Sequence, residues 1–476
     1  MSTGLARVTI SAPQRRVDVA LPEHLPLVEL LPEVLRHAGE GLADDGERHG
    51  GWLLRRTDGA VLQPAQALLP QGVRDGEVLH LVPARAQWPE LEYDDVVEAI
   101  ADGARRRGNA WTGASTRTAT LVGGGVLLAT GLVATLAGGP SWGFGAYVSL
   151  GIAVLLALCG VVASRAYGDA FAGAALGGYA MPYAFAGGAL LVASGDPAGV
   201  LGPVRWIGGP ELLAGSVALL LAAVLGAVGV AAGLRVFAAG TAVGLLGALT
   251  ALAGLFLSAA GAAAVLLAVL VCAIGVLPLL AIRFGKLPMP PITLPTGAEA
   301  AEGFTTGKST SLDAARERPE RGRVFAAVAR TEETLTGMLI GHAVLTIVAS
   351  IVLVGSGGVA GDVLVAVCAA ALLLRSRLFI TVRQRVPLVL GGLAGLAVLG
   401  VALAGQVGEI GLLGLTVGGL VLALLTVGAG ATYSRRPATP YLGRAADLVD
   451  TLMVVSVVPV ACAVLGLYGR ARGILG

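Results

Sequence analysis

The sequence predicts an α-helical polytopic membrane protein, with about eleven transmembrane helices, preceded by a small α+β domain. Of its 476 residues, 55% are hydrophobic and only 13% are charged, and the mean hydropathy is +0.80. Soluble domains carry about 25% charged residues. Residues 5–83 are mixed and charged, whereas the rest contains apolar runs long enough to cross a bilayer. A net charge of +2 gives no reason to expect a nucleic-acid partner.

Residues 1–84 form the predicted soluble domain. LARVTIS (5–11) and RRVDVAL (15–21) alternate apolar and polar residues, which predicts a β-hairpin. A helix follows, because four leucine and valine residues recur on one helical face: Leu27, Leu30, Leu31 and Val34. Pro32 interrupts this pattern and predicts a kink or a late helix start.

Three short strands complete the predicted domain, at 51–56, 60–63 and 77–83. The resulting order, β-β-α-β-β-β, predicts a ubiquitin-like (β-grasp) fold. Because the chain opens with no secretory signal, we expect this domain in the cytoplasm.

Residues 85–116 are predicted to form a linker helix between this domain and the membrane. Acidic residues open the helix and arginines close it, an order that complements the helix dipole. The arginines are predicted to meet lipid head groups, and a tryptophan fits the membrane interface. The candidate interfacial anchors are Arg105, Arg106, Arg107 and Trp111.

Eleven apolar segments have about the length needed to span a bilayer. Six lie within residues 117–282 and five within residues 336–476. The first six are 118–137, 144–164, 170–193, 212–233, 236–257 and 259–281. The last five are 336–355, 360–376, 386–404, 410–431 and 449–468. Pro182, Pro278 and Pro459 are predicted to kink the third, sixth and eleventh spans.

The distribution of basic residues tests this count. With the N-terminal domain inside, nearly all arginines and lysines beyond it fall in inner loops, as the positive-inside rule requires. The outer segments hold only Arg205, Arg470 and Arg472. Eleven spans therefore predict a multi-pass bacterial cell-membrane protein with a cytoplasmic N-terminus and an external C-terminus.

Residues 283–335 form the predicted proline-rich cytoplasmic loop, which includes LPMPPITLPTG (287–297). Prolines favour extended, polyproline-like chain that does not pack alone. Such a segment binds in a partner's groove at low entropic cost, although it also serves as a stiff spacer. The candidate partner-docking residues are Leu287, Pro288, Pro290, Pro291 and Pro295.

The whole chain resembles a known family. The local matches are RRVDVALP (15–22), DGEVLHLVP (75–83) and LPMPP (287–291), together with the order of head, spans and loop. The chain is similar to the EccD family, the multispanning membrane subunits of actinobacterial type VII (ESX) secretion systems. The resemblance implies a non-enzymatic scaffold with no cofactor. It also implies EccB-like and EccE-like partners, an EccC-like FtsK/SpoIIIE-type ATPase, membrane lipids, and a homodimer enclosing a lipid-lined space.

Sequence signals for catalysis are weak. GFTTGKST (303–310) resembles a phosphate-binding loop, but three residues rather than four separate its glycines and no strand precedes it. No histidine or cysteine spacing predicts a metal site. His342 lies in the seventh span, where a buried structural role and a proton-handling role both stay open.

A secondary transporter with a fused ubiquitin-like regulatory domain is the alternative. Interrupted spans are found in transporters, but no carboxylate falls in the middle of a predicted span, where proton coupling needs one. Small-xxx-small pairs permit close helix packing or dimerisation: Gly173/Gly177, Gly240/Gly244, Gly391/Gly395 and Gly414/Gly418.

Overall fold

The computed structural model describes residues 4–13, 15–39, 41–84, 111–195, 199, 202–286, 321–435 and 439–475. By its internal contacts the chain divides into two units, Met1–Thr112 and Gly113–Gly476. The first unit contains every described β-strand, and the second is helical.

The first unit contains a four-stranded sheet and two helices. Its elements in chain order are β1 (Leu5–Ser11), β2 (Arg16–Pro22), α1 (Leu27–Ala38), α2 (Leu42–His49), β3 (Trp52–Arg56) and β4 (Val78–Pro83). The strand order is β2-β1-β4-β3; β1 and β4 are parallel and the other pairs antiparallel. This arrangement confirms the predicted hairpin and the ubiquitin-like fold.

One face of the sheet packs against α1 to form the core of this unit. Val8 and Ile10 of β1 and Leu79 of β4 are buried together with Leu27 and Val34 of α1. The alternation read from the sequence therefore places the apolar side chains of the central strands inward.

Three details of this unit differ from the predictions. Helix α1 begins at Leu27 and continues through Pro32. Pro32 has no amide hydrogen to donate to the Val28 carbonyl. Both residues are exposed, so water can bond that carbonyl instead. Residues 60–63 form only an isolated bridge between Arg55 and Val61, flanked by hydrogen bonds from the Arg56 amide to the Ala60 carbonyl and from the Leu62 amide to the Leu54 carbonyl. Helix α2 was not predicted, since LADDGERH lacks an apolar repeat.

The second unit is a bundle of long helices. The proline-rich loop predicted above is called the central loop from here on. Before it lie α3 (Gly113–Gly138), α4 (Gly145–Arg165), α5 (Ala170–Leu191), α6 (Gly209–Val230), α7 (Leu234–Gly254), α8 (Ala259–Ala273) and α9 (Leu277–Gly285). After it lie α10 (Arg321–Gly355), α11 (Val359–Arg375), α12 (Val382–Gln406), α13 (Glu409–Tyr433), α14 (Pro440–Val464) and α15 (Leu467–Leu475).

Within the described residues, nine helices are long and apolar enough to cross a membrane, and the bent pair α8–α9 makes a tenth span. Helix α5 is the remaining predicted span. It has 22 residues without a charged side chain, and its Gly, Tyr and Pro residues lower its mean hydropathy. It packs between α4 and α6, so protein rather than lipid surrounds much of it, and we count it as a span.

The bundle core lies where α8, α10, α11 and α14 meet. Leu267, Leu270 and Val271 of α8 pack with Leu353 of α10 and Val365 of α11 in one buried cluster. A second cluster joins Ile274 and Ala281 to Leu335 and Leu339 of α10. Both clusters include residues from before and after the central loop, so the two halves of the bundle fold as one body.

Candidate docking site at the root of the central loop

The predicted docking residues Leu287, Pro288, Pro290, Pro291 and Pro295 lie outside the described residues. So do Arg105, Arg106, Arg107 and the phosphate-loop-like stretch 303–310. Trp111 is described and is 73% exposed, two residues before α3 begins. The structure therefore informs the candidate docking site through the two helices, α9 and α10, between which the central loop runs.

The chain enters the loop through a broken span. Helices α8 and α9 meet at a 70° bend, and Ile274–Val276 separates them. Pro278 occupies the second position of α9, where a proline costs no helical hydrogen bond. This confirms the kink predicted for the sixth span. The described part of the chain ends there with Lys286 in the left-handed conformation, at a φ of 52°.

Helix α9 is seated directly on α10. A Cβ at Gly285 would lie 1.9 Å from Thr331 Oγ1, so only glycine permits this approach. Thr331 in turn donates to the Ala327 carbonyl within α10. The last residues before the loop and the first turns after it are therefore adjacent, and we name this contact of α9 with α10 the loop root.

Arg375 holds the bend above the loop root. Its Nη1 donates to the carbonyl of Val271 over 2.6 Å, and its Nε lies 3.4 Å from Asp450 Oδ1 of α14. Val271 is in the last turn of α8, where carbonyls lack helical amide partners. A cation there also complements the negative end of the helix dipole. One side chain thus joins α8, α11 and α14.

Arg377 makes a second, more exposed tie to α14. It forms an ion pair with Asp447, and its Nη1 lies 3.4 Å from the carbonyl of Gly443. The Asp447 side chain is 74% exposed, compared with 19% for Asp450. The positive-inside rule placed both arginines in an inner loop but did not indicate their partners, which lie about seventy residues further along the chain and become neighbours only through the fold.

The end of a broken helix is also where transporters bind substrate. In this chain the guanidinium of Arg375 occupies the carbonyl end of α8. The break is therefore closed by a side chain of the protein rather than left open toward a ligand, which weighs against the transporter alternative.

His342 is buried within α10, at 3% exposure, and its Nε2 has no hydrogen-bond partner among the described residues. Thr346 donates to the His342 carbonyl, and Ser350 donates to the Thr346 carbonyl. These hydroxyls are satisfied within their own helix, so they form no relay through side chains. The described part of the chain contains no group of three His, Cys, Asp or Glu able to hold a metal.

The first unit offers a separate surface. Besides Trp111, the exposed large apolar side chains among its described residues are Leu5, Leu25, Val28 and Leu69, each 42–54% exposed. Backbone hydrogen bonds bring the segments of Leu5 and Leu69 together at Glu23, whose amide donates to the Gly4 carbonyl and whose carbonyl accepts from the Leu69 amide. The Val28 amide donates to the Pro64 carbonyl, five residues before Leu69. Exposed apolar patches on soluble domains mark interaction sites. The sequence did not reveal this patch, because its members come from three separate segments.

A family profile described as "EccD-like transmembrane domain" matches residues 116–474. The chain belongs to the EccD family. A second profile, described as "WXG100 protein secretion system (Wss), protein YukD", matches residues 5–81 of this EccD-family chain. The family predicted from the architecture is thus confirmed, and the two matches cover the helical unit and the ubiquitin-like fold.

Individual relatives agree with this assignment. The ESX-4 secretion system protein eccD4 of Mycobacterium tuberculosis, in strains CDC 1551 and H37Rv, is 32% identical over 197 residues. The match covers 40% of this chain and 42% of the relative. The matched region is therefore about two fifths of the length of each curated relative.

Two solved structures share the fold. Protomer 1 of the ESX-3 core complex has a TM-score of 0.57 and 21% identity, over 98% of this chain and 100% of that one. A chain of the MycP5-free ESX-5 inner membrane complex, State II, has a TM-score of 0.52 and 20% identity, over 91% of this chain and 100% of that one.

Proposed function

We propose that this EccD-family chain is a structural membrane subunit of a type VII (ESX) protein secretion complex. In this role it scaffolds the translocon and docks partner subunits through its N-terminal domain and its proline-rich loop. The observation that carries the proposal is the double family match, because the EccD-like match and the YukD match occur in one chain, in that family's order.

The loop root supports a docking role for Leu287, Pro288, Pro290, Pro291 and Pro295. Because α9 is fixed on α10 at Gly285 and its bend is held by Arg375, the docking segment starts from a rigid base. A stiff segment on a rigid base loses little conformational entropy when a partner binds. A load on the loop would also be transmitted into both halves of the bundle.

The partners proposed are EccB-like and EccE-like membrane subunits and an EccC-like ATPase of the FtsK/SpoIIIE type. The apolar patch around Glu23 supports a docking role for the N-terminal domain. The proposed orientation has a cytoplasmic N-terminus and an external C-terminus, supported by the bias of arginines. Arg105, Arg106, Arg107 and Trp111 are proposed to anchor the chain at the inner interface.

A homodimer is the proposed arrangement of two copies. Helix α13 supports it, since none of its described residues is buried, and a Cβ added at Gly414 or Gly418 would meet no atom within 4 Å. A second copy packing on this small-residue face would cover it. The expected effect of Gly418→Leu is loss of the dimer on a native gel with the monomer still folded; an unchanged dimer would exclude this face.

The first test is gentle detergent extraction from the native membrane, affinity purification, a native gel and mass spectrometry. We expect a large assembly that contains a membrane ATPase. Recovery of the chain alone or as a simple dimer, at every salt and detergent tried, would contradict the scaffold proposal. Flux through proteoliposomes would then test the transporter alternative.

The docking role of the loop has its own test. Deletion of residues 288–295 is expected to remove partner subunits from the purified assembly while membrane insertion is retained. Deletion of residues 303–310, an equally long piece of the same loop, is the matched control and should leave the assembly intact. If both deletions behave alike, the loop acts only as a spacer.

The patch on the N-terminal domain is tested separately. Val28→Asp with Leu69→Asp places two charges on exposed positions, so the domain is expected to fold while partner binding falls. Arg16→Asp, on the exposed edge strand β2, controls for added negative charge away from the patch. Equal loss of partners in both variants would show an effect of charge alone.

A further inference from the structure

A cavity of about 370 Å³ lies beside the loop root, where α7, α10 and α12 meet. Its polar lining comes from the first turn of α7, from α10, and from the start of α12. These residues are Arg235, Glu332, Glu333, Thr336, Thr381 and Arg383. At about 30 Å³ for each water-sized group, the cavity has room for roughly a dozen such groups.

Close backbone packing fixes the walls of this cavity. A Cβ at Gly337 would lie 2.3 Å from the Arg235 carbonyl oxygen, so α7 touches α10 directly. A Cβ at Gly391 would lie 3.3 Å from Ala343 Cα, which seats α12 on the same helix. Neither approach tolerates a larger residue without movement, so the cavity is already formed in the free protein.

One side of the cavity favours negative charge. Helices α7 and α12 both begin there, and neither has an acidic residue in its first turn or a side-chain hydrogen bond at its N-cap. Helix N-termini present free amide donors and a partial positive charge. Arg235 and Arg383 add two full charges, and neither forms an ion pair within the described ranges.

Two threonines also line the cavity. Thr336 follows Glu332 and Glu333 by one turn of α10 and is 7% exposed, and its hydroxyl makes no hydrogen bond to any described residue. Thr381 Oγ1 is also buried without a partner in this part of the chain. Buried polar groups are nearly always hydrogen-bonded, so the Thr381 hydroxyl calls for a polar partner in the cavity, which water or a ligand would supply.

The other side of the cavity disfavours a simple anion. Glu332 and Glu333 line the cavity and, among the described residues, form no ion pair with its arginines. The lining therefore offers two separate charges of each sign. A ligand that satisfies both sides carries a phosphate and an ammonium group on one short chain.

We propose that this cavity binds the phosphoethanolamine head group of a membrane phospholipid. The phosphate lies between Arg235, Arg383 and the two helix N-termini, where guanidinium groups form paired, charge-assisted hydrogen bonds. The ammonium group donates to Glu332 and Glu333. Basic pockets between transmembrane helices are known lipid sites, and the glutamates restrict this one to a zwitterion. The proposal does not depend on the proposed function, since it concerns the isolated chain.

The test is titration of the purified, delipidated full-length protein with phosphatidylethanolamine, phosphatidylcholine or phosphatidylglycerol of equal chain length, followed by native mass spectrometry. We expect phosphatidylethanolamine to bind about tenfold more tightly than the others, because a trimethylated amine donates no hydrogen bond and glycerol carries no charge. Equal affinity for the three lipids would overturn the proposal.

Variants locate the binding. Arg383→Gln is expected to weaken phosphatidylethanolamine binding about tenfold, and Glu332→Gln with Glu333→Gln is expected to shift preference toward phosphatidylglycerol. The controls, Arg444→Gln and Glu409→Gln, each remove one charge of the corresponding sign at exposed positions outside the cavity and should bind as wild type. If the cavity variants also bind as wild type and melt normally, the lipid binds elsewhere and the proposal fails.

Soluble O-phosphoethanolamine distinguishes the source of the head group. If it competes with the bound lipid but binds more weakly, the cavity takes the head group from the membrane, as proposed. If it binds and the lipid does not, the ligand is a free compound and the lipid assignment is wrong.

Discussion

Helices α5 and α13 carry the same small-xxx-small spacing and differ completely in packing. Gly173 and Gly177 of α5 are buried: a Cβ at Gly173 would lie 2.8 Å from the Gly160 carbonyl oxygen, and one at Gly177 would lie 2.7 Å from Phe237. A Cβ at Gly414 or Gly418 of α13 would have nothing within 4 Å. The spacing therefore permits close packing without specifying where it occurs.

Composition outside the glycines accounts for the difference. Helix α13 carries leucine and valine around its whole circumference (EIGLLGLTVGGLVLALLTVGAGATY), so every face is suited to lipid or to another apolar helix. Helix α5 has the sequence AFAGAALGGYAMPYAFAGGALL. Its alanines and glycines fill little volume, and its two tyrosines carry hydroxyls that need hydrogen-bond partners. The less apolar helix is thus the one surrounded by protein.

The largest expected effect comes from filling the contact between α4 and α5. Gly173→Leu is expected to lower the stability of the full-length protein in detergent by about 3 kcal/mol, since its Cβ would meet backbone that cannot move aside. Gly430→Leu is the matched control, because a Cβ there would also meet no atom within 4 Å and the residue lies away from the Gly414/Gly418 face of α13; it should change stability by less than about 0.5 kcal/mol. Thermal unfolding of the purified proteins measures both, and equal shifts would break the comparison.

A smaller effect is expected for Arg375 and Arg377, two nearby arginines whose acidic partners differ in burial. Arg375→Ala leaves Asp450 and the Val271 carbonyl unpartnered in a setting that is 17–19% exposed, which should cost about 2 kcal/mol. Arg377→Ala should cost less than about 1 kcal/mol, because Asp447 is 74% exposed and stays hydrated. Thermal unfolding of the two single variants compares them; a larger loss for Arg377→Ala would contradict the assignment of Arg375 as the tie that holds the bend.

The elements of the fold could be predicted from the sequence because they depend on local patterns. Apolar runs predicted the spans, alternation predicted the hairpin, and Pro278 predicted the bend before α9. Neighbours across the bundle could not be predicted in this way. Arg375 and Asp450 are 75 positions apart, and nothing in either segment indicates the other.

At the candidate site, too, local patterns could be predicted from the sequence and long-range contacts could not. The proline-rich segment is visible in the sequence, because proline restricts the chain wherever it occurs. The loop root depends on Gly285 facing Thr331, a contact between two residues that are unremarkable in their own segments. The cavity beside it depends on the starts of α7 and α12 meeting the interior of α10, and the apolar patch depends on three segments meeting.

The smallest measurable effect is expected for the hydroxyls that join α5 to α3. Tyr179 Oη donates to the Leu121 carbonyl over 2.9 Å, and Tyr183 Oη donates to the Leu128 carbonyl over 2.7 Å. Helix α3 has little other buried surface, with Thr135 its one buried residue. Each of Tyr179→Phe and Tyr183→Phe should therefore cost about 1 kcal/mol and increase protease access to α3.

Thr416→Val on α13 is the control for this last effect. Its hydroxyl donates to the Leu412 carbonyl of its own helix over 2.7 Å, so removing it breaks no contact between helices and should leave stability unchanged. If the tyrosine variants behave like Thr416→Val, then α3 is held by its apolar surface and lies as loosely on the bundle as α13. If only the tyrosine variants expose α3, the polar residues that make α5 less apolar are those that hold its neighbour in place.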